Sequence, residues 1–199
     1  MEIQQFTKMK VNEIFYSLQG EGAHTGTPAI FIRFALCNLR CPFCDTNFAK
    51  YDELTKSAIL DAIKSFPTKL VVLTGGEPTL QDLVPLINSL HEAGKFVAIE
   101  TNGTNETPSN ADWVTCSPKV AFVKNAPLKL TEADEVKVVF DGKSEVKDYG
   151  IKARHYYLQP CDTGDAEQNE RIINNCVNYI KQHPKWKLSL QTQKILKVR

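Results

Sequence analysis

The architecture of this chain follows from residues 70–78, which read Leu-Val-Val-Leu-Thr-Gly-Gly-Glu-Pro. The four leading apolar residues are typical of a strand that is buried on both faces. The paired glycines and the proline cannot continue a strand, so the chain must turn there. A helical stripe of Leu83, Ile87 and Leu90 follows, and Gly94 stands where a helix is expected to end. The segment therefore predicts a buried strand, a glycine turn and a covering helix.

The same alternation of short apolar runs and helical stripes recurs along the chain. Further strands are predicted at residues 30–34, 96–99, 113–115, 136–140 and 155–158, with a last strand or extended tail at 187–190. Helices are predicted around residues 54–66 and, after the capping pair Asp165 and Gln168, up to Pro184. Strands separated by helices imply parallel crossovers.

The length then limits the architecture. The chain has 199 residues, whereas an eight-unit barrel usually needs about 250. We therefore predict one domain over residues 1–199 with an α/β fold, either an abbreviated β/α barrel or an open sheet that is mostly parallel.

The composition gives no sign of a nucleic-acid or membrane partner. The formal net charge is only +1, so no global positive field attracts polyanions. No apolar run approaches the roughly 18 residues of a spanning helix, and the first ten residues lack the apolar segment of a secretory signal. We expect a cytoplasmic protein that binds neither nucleic acid nor membrane.

Three cysteines are crowded into the segment Cys37-Asn-Leu-Arg-Cys41-Pro-Phe-Cys44, directly after the strand predicted first in the chain. Crowded thiols in a reducing compartment indicate metal or redox chemistry. A structural zinc site requires four protein ligands, whereas three thiolates on a four-iron cluster leave one iron open for an outside ligand. The spacing favours the cluster. A zinc site completed by His24 or Cys116, or three reduced structural cysteines, stays open as an alternative.

Two motifs in this order resemble the radical S-adenosylmethionine (SAM) superfamily. One is the C-x3-C-x2-C array with Phe43 before its third cysteine, and the other is Thr74-Gly-Gly-Glu-Pro78, which is similar to the GGEP element of that superfamily. The resemblance implies that the open iron binds the amino and carboxylate groups of SAM. Glycines let the backbone approach a ligand closely, and Glu77 and the loop carbonyls can accept hydrogen bonds from an ammonium group.

Further segments are similar to the 7-carboxy-7-deazaguanine synthases within that superfamily. They are Phe15-Tyr-Ser-Leu-Gln-Gly-Glu-Gly22, Arg33 in its strand, Cys44-Asp-Thr46, Glu100-Thr-Asn-Gly-Thr104, Ser117-Pro-Lys119 and Gln159-Pro160. The resemblance implies an abbreviated radical SAM barrel that converts 6-carboxy-5,6,7,8-tetrahydropterin to 7-carboxy-7-deazaguanine with loss of ammonia, toward queuosine and other 7-deazapurines. It implies that a reduced 4Fe–4S cluster cleaves SAM to a 5′-deoxyadenosyl radical, which takes hydrogen from C6 of the pterin. It also implies a magnesium ion, a homodimer, and an electron donor such as flavodoxin or ferredoxin.

The resemblance assigns roles to individual residues, none of them as a catalytic acid or base. The cluster ligands are Cys37, Cys41 and Cys44, and the magnesium ligand is Thr46, with Asp45 beside it as an alternative. The residues implied to contact SAM and the cluster are Phe43, Cys44, Asp45, Gly76, Glu77, Glu100, Ser117, Pro118, Lys119, Gln159, Pro160, Cys161 and Asp162. The residues implied to hold the pterin are Leu18, Gln19, Gly20, Arg33 and Thr74. A guanidinium such as that of Arg33 suits the substrate carboxylate because the two groups pair in a bidentate manner.

The tail departs from the family pattern at two places. Gln191-Thr-Gln193-Lys stands where the family has Gln-Thr-His-Lys, and Val198-Arg199 stands where a proline is expected. Gln193 can hydrogen-bond a pterin edge but cannot carry a proton.

Two other functions compete with this interpretation. A glycyl-radical-enzyme activase shares the thiol spacing and the use of SAM, and a zinc or iron–sulfur module without catalysis is the alternative from another class. The other cysteines and the histidines are expected to be structural, except that Cys161 lies inside a predicted SAM loop. They are Cys116, Cys161, Cys176, His24, His91, His155 and His183.

Overall fold

The computed structural model describes residues 8–44 and 50–199. Its strands are β1 (Met9–Leu18), β2 (Pro28–Phe34), β3 (Asp52–Leu54), β4 (Leu70–Gly75), β5 (Phe96–Thr101), β6 (Trp113–Cys116), β7 (Glu135–Phe140), β8 (His155–Pro160) and β9 (Lys187–Leu188). Its helices are α1 (Lys56–Ile63), α2 (Val84–Glu92), α3 (Ala166–Gln182) and α4 (Thr192–Leu196), and short 3-10 turns lie at Gly22–His24 and Pro78–Leu80.

The strands of the described residues form one sheet in the order β3-β1-β2-β4-β5-β6-β7-β8-β9. Every neighbouring pair from β2 to β9 is parallel, whereas β1 pairs antiparallel with both β2 and β3. β3 and β9 lie at opposite edges, so the sheet remains open and does not close into a barrel. The predicted α/β fold with a mostly parallel sheet is confirmed.

The start of the chain differs from the prediction. Residues 30–34 belong to the second strand, because β1 precedes them and pairs with them from Val11 to Leu18. The predicted helix at 54–66 is shorter, since Leu54 belongs to β3 and Thr55 caps α1 by accepting a hydrogen bond from the Ala58 backbone N–H at 3.2 Å. Helix α4 was not predicted at all.

The remaining predicted elements are in place. The five strands β4 to β8 coincide with the apolar runs, apart from one or two residues at their ends. Asp165 caps α3 by accepting a hydrogen bond from the Gln168 backbone N–H at 2.8 Å, as the capping pair predicted. Gly94 follows α2 with a φ of +71°, which is the left-handed conformation that a glycine adopts without strain.

Apolar layers on both sides fix the positions of the strands. Ile32, Leu73 and Ile99 pack with Ile59 and Ile87 from helices α1 and α2, and all five side chains are fully buried. A second layer lies under α3, and a third lies on the other side of β1, β2, β4 and β5. The carboxyl ends of the parallel strands are therefore held at one edge of a rigid sheet. None of the helices among the described residues is long and apolar enough to span a bilayer.

Candidate active site

A cavity of about 260 Å³ opens at the carboxyl ends of the parallel strands. This edge is where parallel α/β sheets place their ligands, because the loops that follow each strand converge there. Each of the strands β2, β4, β5, β6, β7 and β8 contributes to the wall. Their side chains at the cavity include Arg33, Thr74, Glu100, Thr115, Lys137 and Gln159.

The three clustered cysteines line this cavity as free thiols. Burial raises the pKa of Cys37 and of Cys41, and the neighbouring thiol Cys44 adds to both shifts. A bound metal favours the thiolate and so offsets this cost. Phe43 anchors the loop against Phe122, with the rings edge to face at 4.8 Å.

The thiols fit a cluster better than a single ion. Within residues 8–44 and 50–199, no three His, Cys, Asp or Glu side chains gather as a site for one metal ion. The three cysteines are thus close neighbours on a shared cavity without meeting at one point, and a four-iron cube is a larger group than one ion. Three thiolates are also the donor set that leaves one of four irons open.

The Gly75–Gly76 turn brings backbone to the cysteine loop. The Gly76 N–H donates to the Phe34 carbonyl at 2.9 Å, and the Glu77 N–H donates to the Leu36 carbonyl at 2.8 Å. A Cβ atom on Gly76 would lie 1.7 Å from the Leu36 oxygen, and Gly75 has a φ of +109°. Only glycine satisfies both conditions, so the motif is required by this close approach.

Glu77 points into the protein interior and not into the cavity. Its carboxylate is fully buried and accepts hydrogen bonds from the Thr101 hydroxyl at 2.8 Å and the Asn102 backbone N–H at 2.7 Å. The Thr79 backbone N–H and hydroxyl also donate to it, at 3.1 and 2.5 Å. The side chain is therefore fully engaged in joining the turn after β4 to the end of β5, and only the backbone of Glu77 is left to contact SAM.

Asn102 extends this connection to the cysteine loop. Its side-chain NH2 donates to the side-chain oxygen of Asn38 at 3.0 Å, and the side-chain NH2 of Asn38 donates to the Thr104 hydroxyl at 2.7 Å. The Asn102 oxygen in turn accepts from the Thr104 backbone N–H and hydroxyl, at 3.0 and 2.6 Å. The segment from Glu100 to Thr104 thus orients the loop that carries the three thiols.

Charged side chains also line the cavity. Lys137 is buried, forms a short ion pair with Glu21, and lies 3.7 Å from the Glu100 carboxylate. The other Glu21 oxygen accepts hydrogen bonds from the side-chain amides of Gln191 and Gln193, each at 3.1 Å. Burial alone would raise the pKa of Glu21, but the attraction of Lys137 and these hydrogen bonds outweigh it and lower the pKa to about 2. Glu21 is therefore held as a carboxylate.

Glu100 and Arg33 are held by neutral and charged partners respectively. The Glu100 oxygens accept from the Gln19 amide at 3.1 Å and from the Thr74 hydroxyl at 2.8 Å. Arg33 lies on β2 opposite Glu13 of β1 and donates to its carboxylate at 2.8 Å. Arg33 lines the cavity from β2, which is an interior strand of the sheet.

Most predicted site residues meet at this cavity. Those that line it are Cys37, Cys41, Phe43, Cys44, Arg33, Thr74, Gly76, Glu100, Ser117, Lys119, Gln159, Pro160, Cys161 and Asp162. The predicted residues that do not line it are Leu18, Gln19, Gly20, Glu77 and Pro118. The predicted magnesium ligands Asp45 and Thr46 lie outside the described residues.

Lys119, a predicted SAM residue, lies close enough to Cys41 for the two side chains to influence each other electrostatically. Its ammonium donates to the Ser117 backbone carbonyl at 2.8 Å and to the Ser117 hydroxyl. Burial lowers the pKa of Lys119, while the nearby Cys41 thiol opposes the shift.

Sequence reasoning missed three kinds of residue at the cavity. Glu21 follows the predicted Gln19-Gly20 directly, and its position in the same motif was the available signal. Lys137 interrupts the apolar run of residues 136–140, which is a signal because lysine is rarely buried without a charged partner. The tail residue Gln191 carried no such signal, whereas Gln193 was already expected to hydrogen-bond a pterin edge.

The C-terminal tail folds back over Gly20. The Thr192 backbone N–H and hydroxyl donate to the Gly20 carbonyl at 3.1 and 2.9 Å. A Cβ atom on Gly20 would lie 1.7 Å from the side-chain oxygen of Gln193, so this position requires glycine. Gln193 lines the cavity, whereas Arg199 lies on the Glu13 carboxylate beside Phe15.

Neither His24 nor Cys116, the two candidates for a fourth zinc ligand, lines the cavity with the three thiols. His24 packs on Phe96 and Trp113, the first residues of β5 and β6. It therefore lies at the amino-terminal ends of the parallel strands, whereas the cavity lies at their carboxyl ends. Cys116 is fully buried behind Gly103 and does not line the cavity. Cys176 is buried on the inner face of α3, while Cys161 does reach the cavity wall.

Comparison with known proteins agrees with this geometry. A family model described as the Radical SAM superfamily matches residues 31–115. The 7-carboxy-7-deazaguanine synthase of Bacteroides thetaiotaomicron is 50% identical over 191 residues, which cover 96% of this chain and 98% of that protein. The chain belongs to the 7-carboxy-7-deazaguanine synthase family of radical SAM enzymes.

Other members of the family are similar over the same range. The synthase of Haemophilus influenzae is 40% identical over 193 residues, covering 92% of this chain and 91% of that protein. The crystal structure of QueE from Escherichia coli matches with a TM-score of 0.67 and 30% identity, over 92% of this chain and 93% of that one. Membership in this family implies a 4Fe–4S cluster and SAM as cofactors, and it does not favour the activase or the zinc-module alternative.

The buried Glu77 carboxylate predicts a stability defect that is separate from any contact with SAM. In Glu77→Gln, an NH2 group replaces one of the two carboxylate oxygens. Because the backbone N–H groups of Thr79 and Asn102 donate to different oxygens, one of them then loses its acceptor. We expect the free energy of unfolding to fall by about 1–3 kcal/mol, measured by urea denaturation of the protein without cluster or SAM. Glu106→Gln, on an exposed loop residue, is the control. Equal stability of Glu77→Gln and the wild type would show that the carboxylate does not hold the loops.

The ionised Glu21 predicts a pH-dependent contribution to stability. Its pKa is lower in the folded protein, about 2 against an ordinary 4.5, so its contribution is complete above about pH 4.5 and is lost as the pH falls toward 2. The difference in unfolding free energy between wild type and Glu21→Gln should therefore be largest near pH 6 and narrow steadily below pH 4.5. Urea denaturation across this range measures it, with the exposed Glu132→Gln as control. A difference that is constant with pH would contradict the assignment.

Proposed function

We propose that this protein converts 6-carboxy-5,6,7,8-tetrahydropterin to 7-carboxy-7-deazaguanine with loss of ammonia, a step toward queuosine and other 7-deazapurines. The observation that carries the proposal is the convergence of three free thiols, the Gly76 backbone and the Arg33 guanidinium on one cavity. The relatives named as synthases of this product, which match nearly the whole chain, support the same reaction.

Cys37, Cys41 and Cys44 would hold the cluster, and the loops beside them would hold SAM. When bound, the cluster and SAM supply the radical that takes hydrogen from the substrate. The SAM contacts are proposed for the backbone at Gly76 and Glu77, for Glu100, and for the segments 117–119 and 159–162. The acceptor groups at the glycine turn suit the amino group of SAM, and Lys119 supplies a cation on the same wall.

Arg33 and Thr74 would hold the pterin, with support from residues 18–20. Arg33 projects from an interior strand into the cavity, which places a fixed cation where the substrate carboxylate can pair with it. Gln19 and Gly20 would support residues that line the cavity. Gln19 donates a hydrogen bond to Glu100, and the Gly20 carbonyl accepts one from Thr192, next to Gln193 in the tail. The tail residue Gln193 is a further candidate for the pterin edge because its side chain reaches the cavity.

Magnesium, the oligomeric state and the electron donor complete the proposal. Thr46, or Asp45 beside it, would hold a magnesium ion that keeps several waters and shares substrate oxygens. The exposed apolar side chains of Ile195, Leu196 and Val198 support a homodimer, since a second copy could cover them. Exposure of Cys44 supports electron transfer from a flavodoxin or ferredoxin. We propose that the whole chain acts as one radical SAM domain in the cytoplasm.

Anaerobic turnover tests the reaction. The reconstituted, reduced protein should convert 6-carboxy-5,6,7,8-tetrahydropterin in the presence of SAM and Mg²⁺ to a product with the mass of 7-carboxy-7-deazaguanine, and omission of Mg²⁺ should slow the reaction. Cys41→Ala should form no detectable product because the cluster loses a ligand. Cys176→Ala, at a residue buried on the inner face of α3, should remain active.

The spectrum of the reduced cluster gives an independent result. It should change when SAM is added to the wild type. A cluster that is indifferent to SAM, or turnover of SAM without a deazaguanine product, would overturn the proposed function.

A further inference from the structure

Lys137 is a buried ammonium on the cavity wall that the proposed function has not used. It lies in the middle of β7, between Val136 and Val138, and only 5% of the residue is exposed. The small exposed part faces the cavity. A buried ion pair costs desolvation energy and contributes little to stability on average, so its position at a cavity points to a ligand.

The acidic groups around Lys137 are fixed by other partners. Glu21 is oriented by the Gln191 and Gln193 amides, and Glu100 by Gln19 and Thr74. A third carboxylate, Glu135, lies on the same face of β7 and accepts a hydrogen bond from the Ala23 backbone N–H at 2.8 Å. Each of the three carboxylates is therefore also held by a neutral hydrogen-bond donor. Lys137 is not the only group that keeps them in position.

The surrounding carboxylates keep Lys137 protonated. Burial would lower the pKa of Lys137, but attraction to Glu100, Glu21 and Glu135 outweighs it and raises the pKa above its ordinary value. Lys119 is the other cation near Lys137. A lysine that does not lose its proton near neutral pH serves as a hydrogen-bond donor and not as a proton carrier.

Donor capacity is left over at this ammonium. An ammonium group has three N–H donors, and the short ion pair with Glu21 uses one of them. Glu100 lies 3.7 Å away, beyond hydrogen-bond distance. Lys137 can therefore donate to an acceptor atom in the cavity, immediately beside the carboxylate acceptor of Glu21.

We propose that Lys137 is a specificity-determining residue that donates a hydrogen bond to the oxo group on the pyrimidine ring of the substrate. The inference rests on the proposed function, since the pterin ring carries one oxo group next to a ring N–H. A donor beside a carboxylate matches that pair of ring groups. A 4-amino group in place of the oxo group would set donor against donor, which is the kind of mismatch that gives selectivity.

Two stable pteridines test this role in the reconstituted protein under anaerobic conditions with SAM bound. One is 6-carboxypterin, which carries the oxo group, and the other is 2,4-diaminopteridine-6-carboxylate, which carries an amino group there. Binding is measured by titration of pteridine fluorescence. The wild type should bind the oxo compound at least about tenfold more tightly, as expected for a hydrogen bond from a charged donor.

Lys137→Met should reduce this preference by about tenfold, through weaker binding of the oxo compound and with binding of the amino compound unchanged or improved. Lys137→Arg, which keeps a cationic donor, should restore part of the preference. Lys152→Met, an exposed lysine far out on the surface, should match the wild type. A residue that merely stabilised the wall would weaken both compounds equally and leave their ratio unchanged.

The outcomes separate this inference from the proposed function. If the wild type forms no deazaguanine product in the anaerobic turnover assay, the proposed function fails and the role of Lys137 fails with it; if it forms the product but binds neither pteridine, only the role of Lys137 is overturned. If the wild type binds 6-carboxypterin but shows no preference, or Lys137→Met keeps the preference within about twofold, only the role of Lys137 is overturned. Should Lys137→Met not fold, the charge-neutral double variant Lys137→Met/Glu21→Gln is compared with Glu21→Gln alone, with the same reading of the ratio.

Discussion

The site depends on one buried carboxylate. Glu77 joins the turn after β4 to the end of β5, and the Asn102 that it fixes binds Asn38 in the cysteine loop. Hydrogen bonds thereby connect three loops that follow different strands, and Glu77 acts as the acceptor in each bond that it makes. A carboxylate offers two acceptor oxygens to these donors, whereas the neutral side chain of similar size, a glutamine, replaces one oxygen by a donor NH2. The thiols keep a defined position only while this arrangement is intact.

This interlock shows how far motifs could be interpreted from the sequence. The Gly-Gly-Glu-Pro and Glu-Thr-Asn-Gly-Thr segments were predicted to lie near SAM, and the parallel strands do bring them to the same edge. The sequence could not show that Glu77 turns inward, because that depends on Thr101 and Asn102, more than twenty residues away. The residues singled out by resemblance thus largely share one cavity, whereas the contacts of each side chain depend on tertiary structure.

The fold was predictable where burial is complete and less so where strands are mixed. Strands β4 and β5 read as apolar runs because both faces are covered. Strand β1 alternates irregularly between buried and exposed residues, and its ladder to β2 contains a register shift after Val11, so period alone did not reveal it. The contact between the tail and Glu21 could not be predicted either, since Gln191 and Glu21 are 170 positions apart in the sequence.

The charges of the cavity explain why an anionic substrate can enter it. Glu13 already accepts from Arg33, and Arg199 binds the second oxygen of the same carboxylate, so Glu13 is shared between two guanidinium groups. Arg33 has five N–H donors in a planar fork and gives one of them to Glu13. The Glu13 contact therefore orients the Arg33 guanidinium and leaves its other N–H donors for a ligand. Arg199 partly neutralises the charge of Glu13 and so weakens the attraction of Glu13 for Arg33. If Arg33 binds the substrate carboxylate as proposed, that carboxylate meets a pre-oriented cation whose own partner is partly neutralised, which lowers the cost of ordering the pair on binding.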